Sequence, residues 1–119
     1  MDKENRLRKK TKLLVYTIQQ EINTNPLKNK KVSLLAIEAG IDRKLLEAGF
    51  KIIFGVTIKK YQIRRRMEIS QQLLDEGRHT IKEIAFKCGY RSQNSFAKAF
   101  KKLYGLTPTD WQNRPEAAA

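Results

Sequence analysis

The chain carries 119 residues, 40% of them hydrophobic, and its 25 Lys plus Arg against 12 Asp plus Glu leave a formal net charge of +13. A chain of this length makes one compact domain or two very small ones, and the resulting core is too thin to enclose a large substrate cavity. One His and one Cys exclude a zinc site, a disulfide framework and a dithiol redox motif, so no metal and no cofactor is expected.

Proline and glycine punctuate a helical chain with no alternating strand pattern. Apolar residues at four-residue spacing, Leu14, Ile18 and Ile22, predict a first helix over 9–23 that ends before Asn25-Pro26. A basic loop, 28–31, follows. A short helix over 33–39 closes at Gly40, and Asp42 is the N-cap of a helix running to Phe54. Thr57 caps a long helix to Asp75, ended by Gly77; its apolar residues Ile63, Met67 and Leu74 occupy one stripe and Ile58, Tyr61, Ile69 and Leu73 others, so it is expected to join two small cores. Thr80 caps a helix over 81–88, Ser92 one over 93–104, and Thr107, Pro108 and Asp110 open a last short helix in capping-box style. The expected fold is all-α, with seven helices.

An excess of 13 positive charges repels itself and suits a polyanionic partner. Residues 1–31 carry nine basic and three acidic groups, 32–76 eight and six, and 77–119 eight and three. An anionic membrane surface competes with nucleic acid as the partner, but a surface-binding helix needs a bulky apolar face opposite its cations. In the first helix that face, Leu13, Leu14, Ile18 and Ile22, is equally explained by a core. The apolar stretch 13–18 is too short for a signal-peptide core or a membrane span, and the lone thiol fits a reducing compartment, so a cytoplasmic protein with no membrane partner is expected.

The chain contains an internal repeat. Ala36 to Gly40 and then Ile41 match Ala85 to Gly89 and then Tyr90, 49 residues on; Leu46, Phe50 and Gly55 match Phe96, Phe100 and Gly105, 50 residues on, because Arg91 is one extra residue. Each copy reads as a helix, a tight glycine turn and a second capped helix, with the small Ala allowing a close crossing. The outer face of such a second helix is the part that helix-turn-helix proteins lay in the DNA major groove. In the second copy it holds Gln93, Asn94, Ala97, Lys98, Lys101 and Lys102, with Arg91 and Ser92 just ahead and no acid from Arg91 to Tyr104. Amides pair with adenine, and lysines with guanine or phosphate.

The stretch IKEIAFKCGYRSQNSFAKAFKKLYGLTPTDW resembles the signature of the AraC/XylS family of bacterial transcription regulators, and the similarity extends back to cover residues 32–112, with a weaker match in helix one. The resemblance implies two helix-turn-helix subdomains joined by a long central helix, each offering a recognition helix to successive major grooves of double-stranded promoter DNA. It divides the chain into an N-terminal helix with the first subdomain (1–56), a linker helix (57–76), the second subdomain (77–114) and a tail (115–119) whose Ala117, Ala118 and Ala119 look vector-derived or natural. Carried over by position, Gln93, Asn94, Ala97 and Lys98 read DNA in the second subdomain and Lys44, Glu47 and Ala48, with Arg43 beside them, in the first. Family members usually add an effector-binding or dimerisation domain, absent from this chain, and act on RNA polymerase.

The chain departs from the family pattern at Ala48, where a long polar side chain is common, at Gly49 within a helix, and at Trp111 and Gln112, where Tyr and Arg are common. Glu47 accepts from a cytosine amine but repels phosphate. The first subdomain is therefore expected to be the weaker or more selective reader. A protein-interaction module built on a degenerate helix-turn-helix is the alternative, its cue being the weak helix 42–54. An enzyme is not expected: His79 reads as a surface or capping residue, Cys88 as a buried inert thiol, Trp111 as packing, and Arg66 as either an internal ion pair or a phosphate contact. Leu45, Ile52 and Ile53 exceed what one helix face needs.

Overall fold

The computed structural model describes residues 3–115, so all but the first residue of the 115–119 tail lies outside the described residues. Among the described residues there are seven α-helices and no strand: α1 (Lys9–Thr24), α2 (Val32–Ala39), α3 (Arg43–Phe54), α4 (Ile58–Glu76), α5 (Ile81–Lys87), α6 (Gln93–Tyr104) and α7 (Pro108–Gln112), preceded by a 3-10 turn, Lys3–Arg6. The chain forms two compact units, residues 1–65 and 66–119, whose boundary falls inside α4.

In unit 1 the core is built from Val15, Ile18 and Ile22 of α1, Leu35 and Ala36 of α2, Leu46 and Phe50 of α3, and Ile58 of α4. The buried stripe of α1 is thus Thr11, Val15, Ile18 and Ile22, and Leu14 of the expected stripe is only half-buried while Leu13 is 59% exposed. The reason lies on α3. A Cβ at Gly49 would stand 3.1 Å from Val15 Cγ2 and 3.5 Å from Thr11 Cγ2, so the missing side chain lets these two β-branched residues lie directly against α3. The glycine that costs α3 helix propensity thereby lets α1 approach it.

Polar contacts fasten the edges of unit 1. Lys30, in the basic loop, is not a free cation: its ammonium donates to Glu21 Oε1 at 2.8 Å and Glu38 Oε2 at 2.7 Å, and these two carboxylates raise its pKa. Gln62 Nε2 donates to the Lys30 carbonyl at 2.8 Å, and the Tyr61 hydroxyl donates to Asn23 Oδ1 at 2.6 Å. The 3-10 turn, which the sequence pattern did not announce, is held by the Tyr16 hydroxyl donating to Glu4 Oε1 at 2.9 Å.

Unit 2 repeats the arrangement with α4, α5 and α6. Met67, Ser70 and Leu74 are buried on α4 with the same spacing as Val15, Ile18 and Ile22 on α1, 52 residues earlier. Each unit is thus a three-helix repeat, not only a two-helix one. Ile84, Ala85, Cys88, Phe96, Phe100 and Pro108 complete this core. Burial pushes the Cys88 thiol up to about 11 and holds the Arg66 guanidinium below its usual value; Arg66 is 9% exposed and is withdrawn from the surface.

The short α7 is clasped to the end of α4. Trp111 does more than pack: its indole N–H donates to Asp75 Oδ1 at 3.2 Å, and Arg114 donates to the same oxygen at 3.1 Å while its guanidinium lies 3.8 Å from the Trp111 ring centroid. Gln112 Nε2 donates to the Leu74 carbonyl at 3.1 Å, one of the acceptors that a helix end leaves open.

Candidate nucleic-acid interface

Two turns of the same design set up the two outer helices. After α2, the Ile41 N–H donates to the Ala36 carbonyl and the Gly40 N–H to Ile37; after α5, Tyr90 donates to Ala85 and Gly89 to Phe86, all at 3.0–3.1 Å. Both are Schellman closures, and both glycines sit in the left-handed region, at φ 69° and 85°, which the pattern requires. The offset of 49 residues is therefore a repeat of geometry as well as of letters. A reciprocal capping box forms at Thr80 and Glu83, where those bonds hold the Glu83 carboxyl below the usual range. At Thr107 only the forward bond, from the Asp110 N–H, is present.

The outer helices start one residue later in the second copy. Asp42 Oδ2 accepts the Leu45 N–H, and Ser92 Oγ the Ser95 N–H, each at 3.1 Å. The caps differ in charge. A carboxylate stands at the start of α3, where the helix dipole favours an anion and occupies that place already; a neutral hydroxyl stands at the start of α6, next to exposed Arg91. Ser92 Oγ also donates to Ser95 Oγ at 3.0 Å, so this hydroxyl shapes the helix start.

Leu46 and Phe50 on α3, and Phe96 and Phe100 on α6, are fully buried and fix which face of each helix points outward. On α6 the outward positions are Asn94, Ala97, Lys98 and Lys101, spaced i, i+3, i+4, i+7; on α3 they are Lys44, Glu47, Ala48 and Lys51, each 50 residues earlier. Ala97 is half-buried and the other seven are exposed. Gln93 and Lys102 lie exposed at the margins of the α6 face. Lys51 was missed in the sequence reading, although the repeat maps it onto Lys101.

The two faces differ in electrostatics. Arg43 Nε donates to Glu47 Oε1 at 2.7 Å, so two of the four first-copy candidates are paired with each other. Arg43, Lys44 and Glu47 all line a shallow open depression with Ala48, Lys51 and the start of α4, Thr57–Lys59. Thr57 Oγ1 accepts the Lys60 N–H at 3.2 Å and caps that start. Among the described residues none pairs with the side chains of Asn94, Lys98, Lys101 or Lys102, which leaves α6 an unbroken basic and amide face. His79 is half-buried beside Glu83, 3.7 Å away. Among the described residues no cluster of His, Cys, Asp or Glu stands ready to hold a metal, and no helix is long and apolar enough to cross a membrane.

Two three-helix units, each presenting a capped outer helix after a Schellman turn, define a double helix-turn-helix protein of the DNA-binding class. A family model described as a helix-turn-helix domain matches residues 35–114. The chain is 32% identical over 105 residues to the probable transcriptional regulator LumQ of Photobacterium leiognathi, covering 88% of this chain and 42% of that protein. It is 33% identical over 102 residues to a putative AraC-like transcription regulator of Streptomyces lividans, covering 86% and 34%. The C-terminal domain of AraT, a response regulator from Geobacillus stearothermophilus, superposes with a TM-score of 0.77 at 26% identity over 84% of each chain. The chain belongs to this helix-turn-helix family as a DNA-binding domain of the AraC/XylS type, and it spans less than half the length of these two regulators.

Proposed function

We propose that the chain binds double-stranded promoter DNA sequence-specifically, laying the outer faces of α3 and α6 in successive major grooves. The observation that carries this reading is the recurrence of one outward i, i+3, i+4, i+7 face on two capped helices that follow the same turn. Asn94 and Gln93 are the adenine readers, Lys98 a guanine reader, and Arg91, Lys101 and Lys102 the phosphate contacts of the second subdomain (77–114). Lys44, Lys51, Arg43 and Glu47 serve the first subdomain (1–56), and the helix 57–76 links the two. The role is regulation of transcription in the bacterial cytoplasm through RNA polymerase, without catalysis and within a longer protein that supplies an effector-binding or dimerisation domain. The protein-interaction alternative rested on a weak outer helix; α3 is continuous over Arg43–Phe54 and packed on α1 through Gly49, which removes that cue.

Selection from a random duplex library tests the reading. The expected product is a motif with two half-sites whose centres lie about one helical turn, roughly 10 base pairs, apart. Binding to the selected duplex should weaken with salt by about 0.9 log units of affinity per log unit of salt for each phosphate neutralised. No enriched motif together with a salt slope near zero would overturn it.

A further inference from the structure

We propose that Arg6, Arg8 and Lys10 form a phosphate-gripping strap along one flank of α3, a contact surface outside both helix-turn-helix motifs; this rests on the DNA-binding reading above. The three cations are exposed and line a groove with Leu7, Leu14, Ile41 and Leu45, beside the Asp42 cap at the start of α3. The strap is built and is no loose tail. Tyr16 holds Glu4 through its hydroxyl, the Leu7 N–H closes on the Glu4 carbonyl at 3.1 Å, and Leu7 Cδ1 reaches to 3.8 Å from where a Gly49 Cβ would stand.

The placement matters because a helix about 10–12 Å across fills a major groove about 12 Å wide, so the elements beside it meet the two phosphate strands that bound the groove. Around α3 the outward face of Lys44, Glu47, Ala48 and Lys51 has Thr57–Lys59 on one side. On the other, the stripe of Leu45 and Gly49 leads to the strap. Cations therefore stand on both flanks. The fit is to duplex DNA more than to an acidic polypeptide because the strap adjoins the start of α3 at Asp42 and Leu45 and sets three exposed cations around that groove. Two of its three cations have no counterpart at the offset of 52 that relates α1 to α4: Arg6 and Lys10 correspond to Ile58 and Gln62, both buried, while Arg8 corresponds to Lys60, which is exposed. The strap offsets what α3 loses to its internal Arg43–Glu47 pair and its acidic cap.

The test compares the wild-type chain, a triple variant Arg6→Gln, Arg8→Gln and Lys10→Gln, and a control Lys28→Gln, Lys82→Gln and Lys87→Gln that removes the same charge from exposed positions off both outer faces. Anisotropy titrations on one duplex at several salt concentrations give the slopes, hydroxyl-radical footprints give the protected strands, and circular dichroism checks folding. The strap variant is expected to be folded, to lose about 0.9 of slope per contact removed at every sequence tested, and to lose protection on one edge of the half-site bound by α3. The control should keep the footprint and most of the slope. A strap variant with wild-type slope and footprint overturns the proposal and leaves the groove to an acidic polypeptide. A wild-type slope near zero overturns the DNA-binding reading itself.

Discussion

Arg43 Nε lies 2.7 Å from Glu47 Oε1, one turn apart on the outer face of α3, and the repeat places Gln93 and Ala97 at the same two positions of α6. The first recognition helix carries a self-neutralised pair where the second carries an amide and a methyl group. An exposed i, i+4 pair adds only about 0.3–0.5 kcal/mol to a helix, so on the proposed reading its weight is in binding: an intact pair presents no net charge to phosphate, and a Glu47 that leaves Arg43 presents a negative one.

From this follows an unequal division of labour. Asn94→Ala and Lys98→Ala should each cost about 1–3 kcal/mol on a cognate duplex and relax preference at one base position, as losses of base contacts do. Lys44→Ala and Lys51→Ala should weaken cognate and scrambled duplexes alike, and Glu47→Ala should strengthen binding to scrambled duplex. Anisotropy with matched duplexes reads all five. If Glu47→Ala loses affinity only on the cognate duplex while the α6 changes do nothing, α3 is the main reader and the ranking is reversed.

The contact between Gly49 and Val15 makes a second prediction. Gly49→Ala gains about 1 kcal/mol of helix propensity, but its Cβ arrives 3.1 Å from Val15 Cγ2. Val15 is fully buried and, being β-branched, has one strongly preferred rotamer in a helix, so it cannot turn aside. Overpacking costs about 1–3 kcal/mol, so the net effect on the wild-type chain should be a destabilisation of up to about 2 kcal/mol. In a Val15→Ala background the same change should stabilise by about 1 kcal/mol. Urea unfolding of the four proteins gives the coupling; identical effects in both backgrounds would show that α1 does not feel position 49.

Local chemistry was readable from the letters, and contacts between helices were not. Glycine turns and caps act within five residues, which is why Gly40, Gly89, Asp42, Thr57 and Ser92 placed the helix ends to within a residue or two. The choice of Val15 over Leu14 depends on a gap 34 residues away, at Gly49. The 3-10 turn depends on Tyr16 reaching Glu4, and the α7 clasp on Arg114 reaching Asp75. For the candidate interface, the repeat offset pointed to the outer face of α6 and contained Lys51 unread. That Lys30 is held by two carboxylates, and that Arg43 and Glu47 hold each other, follows only from the folded backbone.

The clasp at α7 is a third test. Arg114 holds its guanidinium carbon 3.8 Å from the Trp111 ring centroid while donating to Asp75, a combination that suits a delocalised, multi-donor cation better than an ammonium. Arg114→Ala should lower stability by about 1 kcal/mol, a modest figure because Asp75 is half-exposed, and Arg114→Lys should recover less than half of the loss. Full recovery by lysine in urea unfolding would show that charge alone matters there.

The buried thiol sets the alkaline limit of unit 2. Burial raises Cys88 from an ordinary value of 9.0 to about 11, against the weaker opposing pull of Arg66 and Lys87, so the folded state binds the thiol proton more tightly than the unfolded state does. A group with a raised folded pKa contributes stability that is complete below its unfolded pKa and is lost as pH rises through the folded one. The window is therefore about pH 9 to 11, and the loss attributable to this group is on the order of 2–3 kcal/mol at its upper end. Cys88→Ala removes the titrating group and should flatten that part of the pH profile, so the stability advantage of the wild-type chain over Cys88→Ala should shrink between pH 8 and pH 10.5. The same burial should make the thiol unreactive toward a disulfide reagent at pH 7.5 except through opening of unit 2, with a labelling rate that rises steeply in urea. Parallel pH profiles for the two proteins, or labelling as fast as a free thiol in native buffer, would show that Cys88 is reached by water.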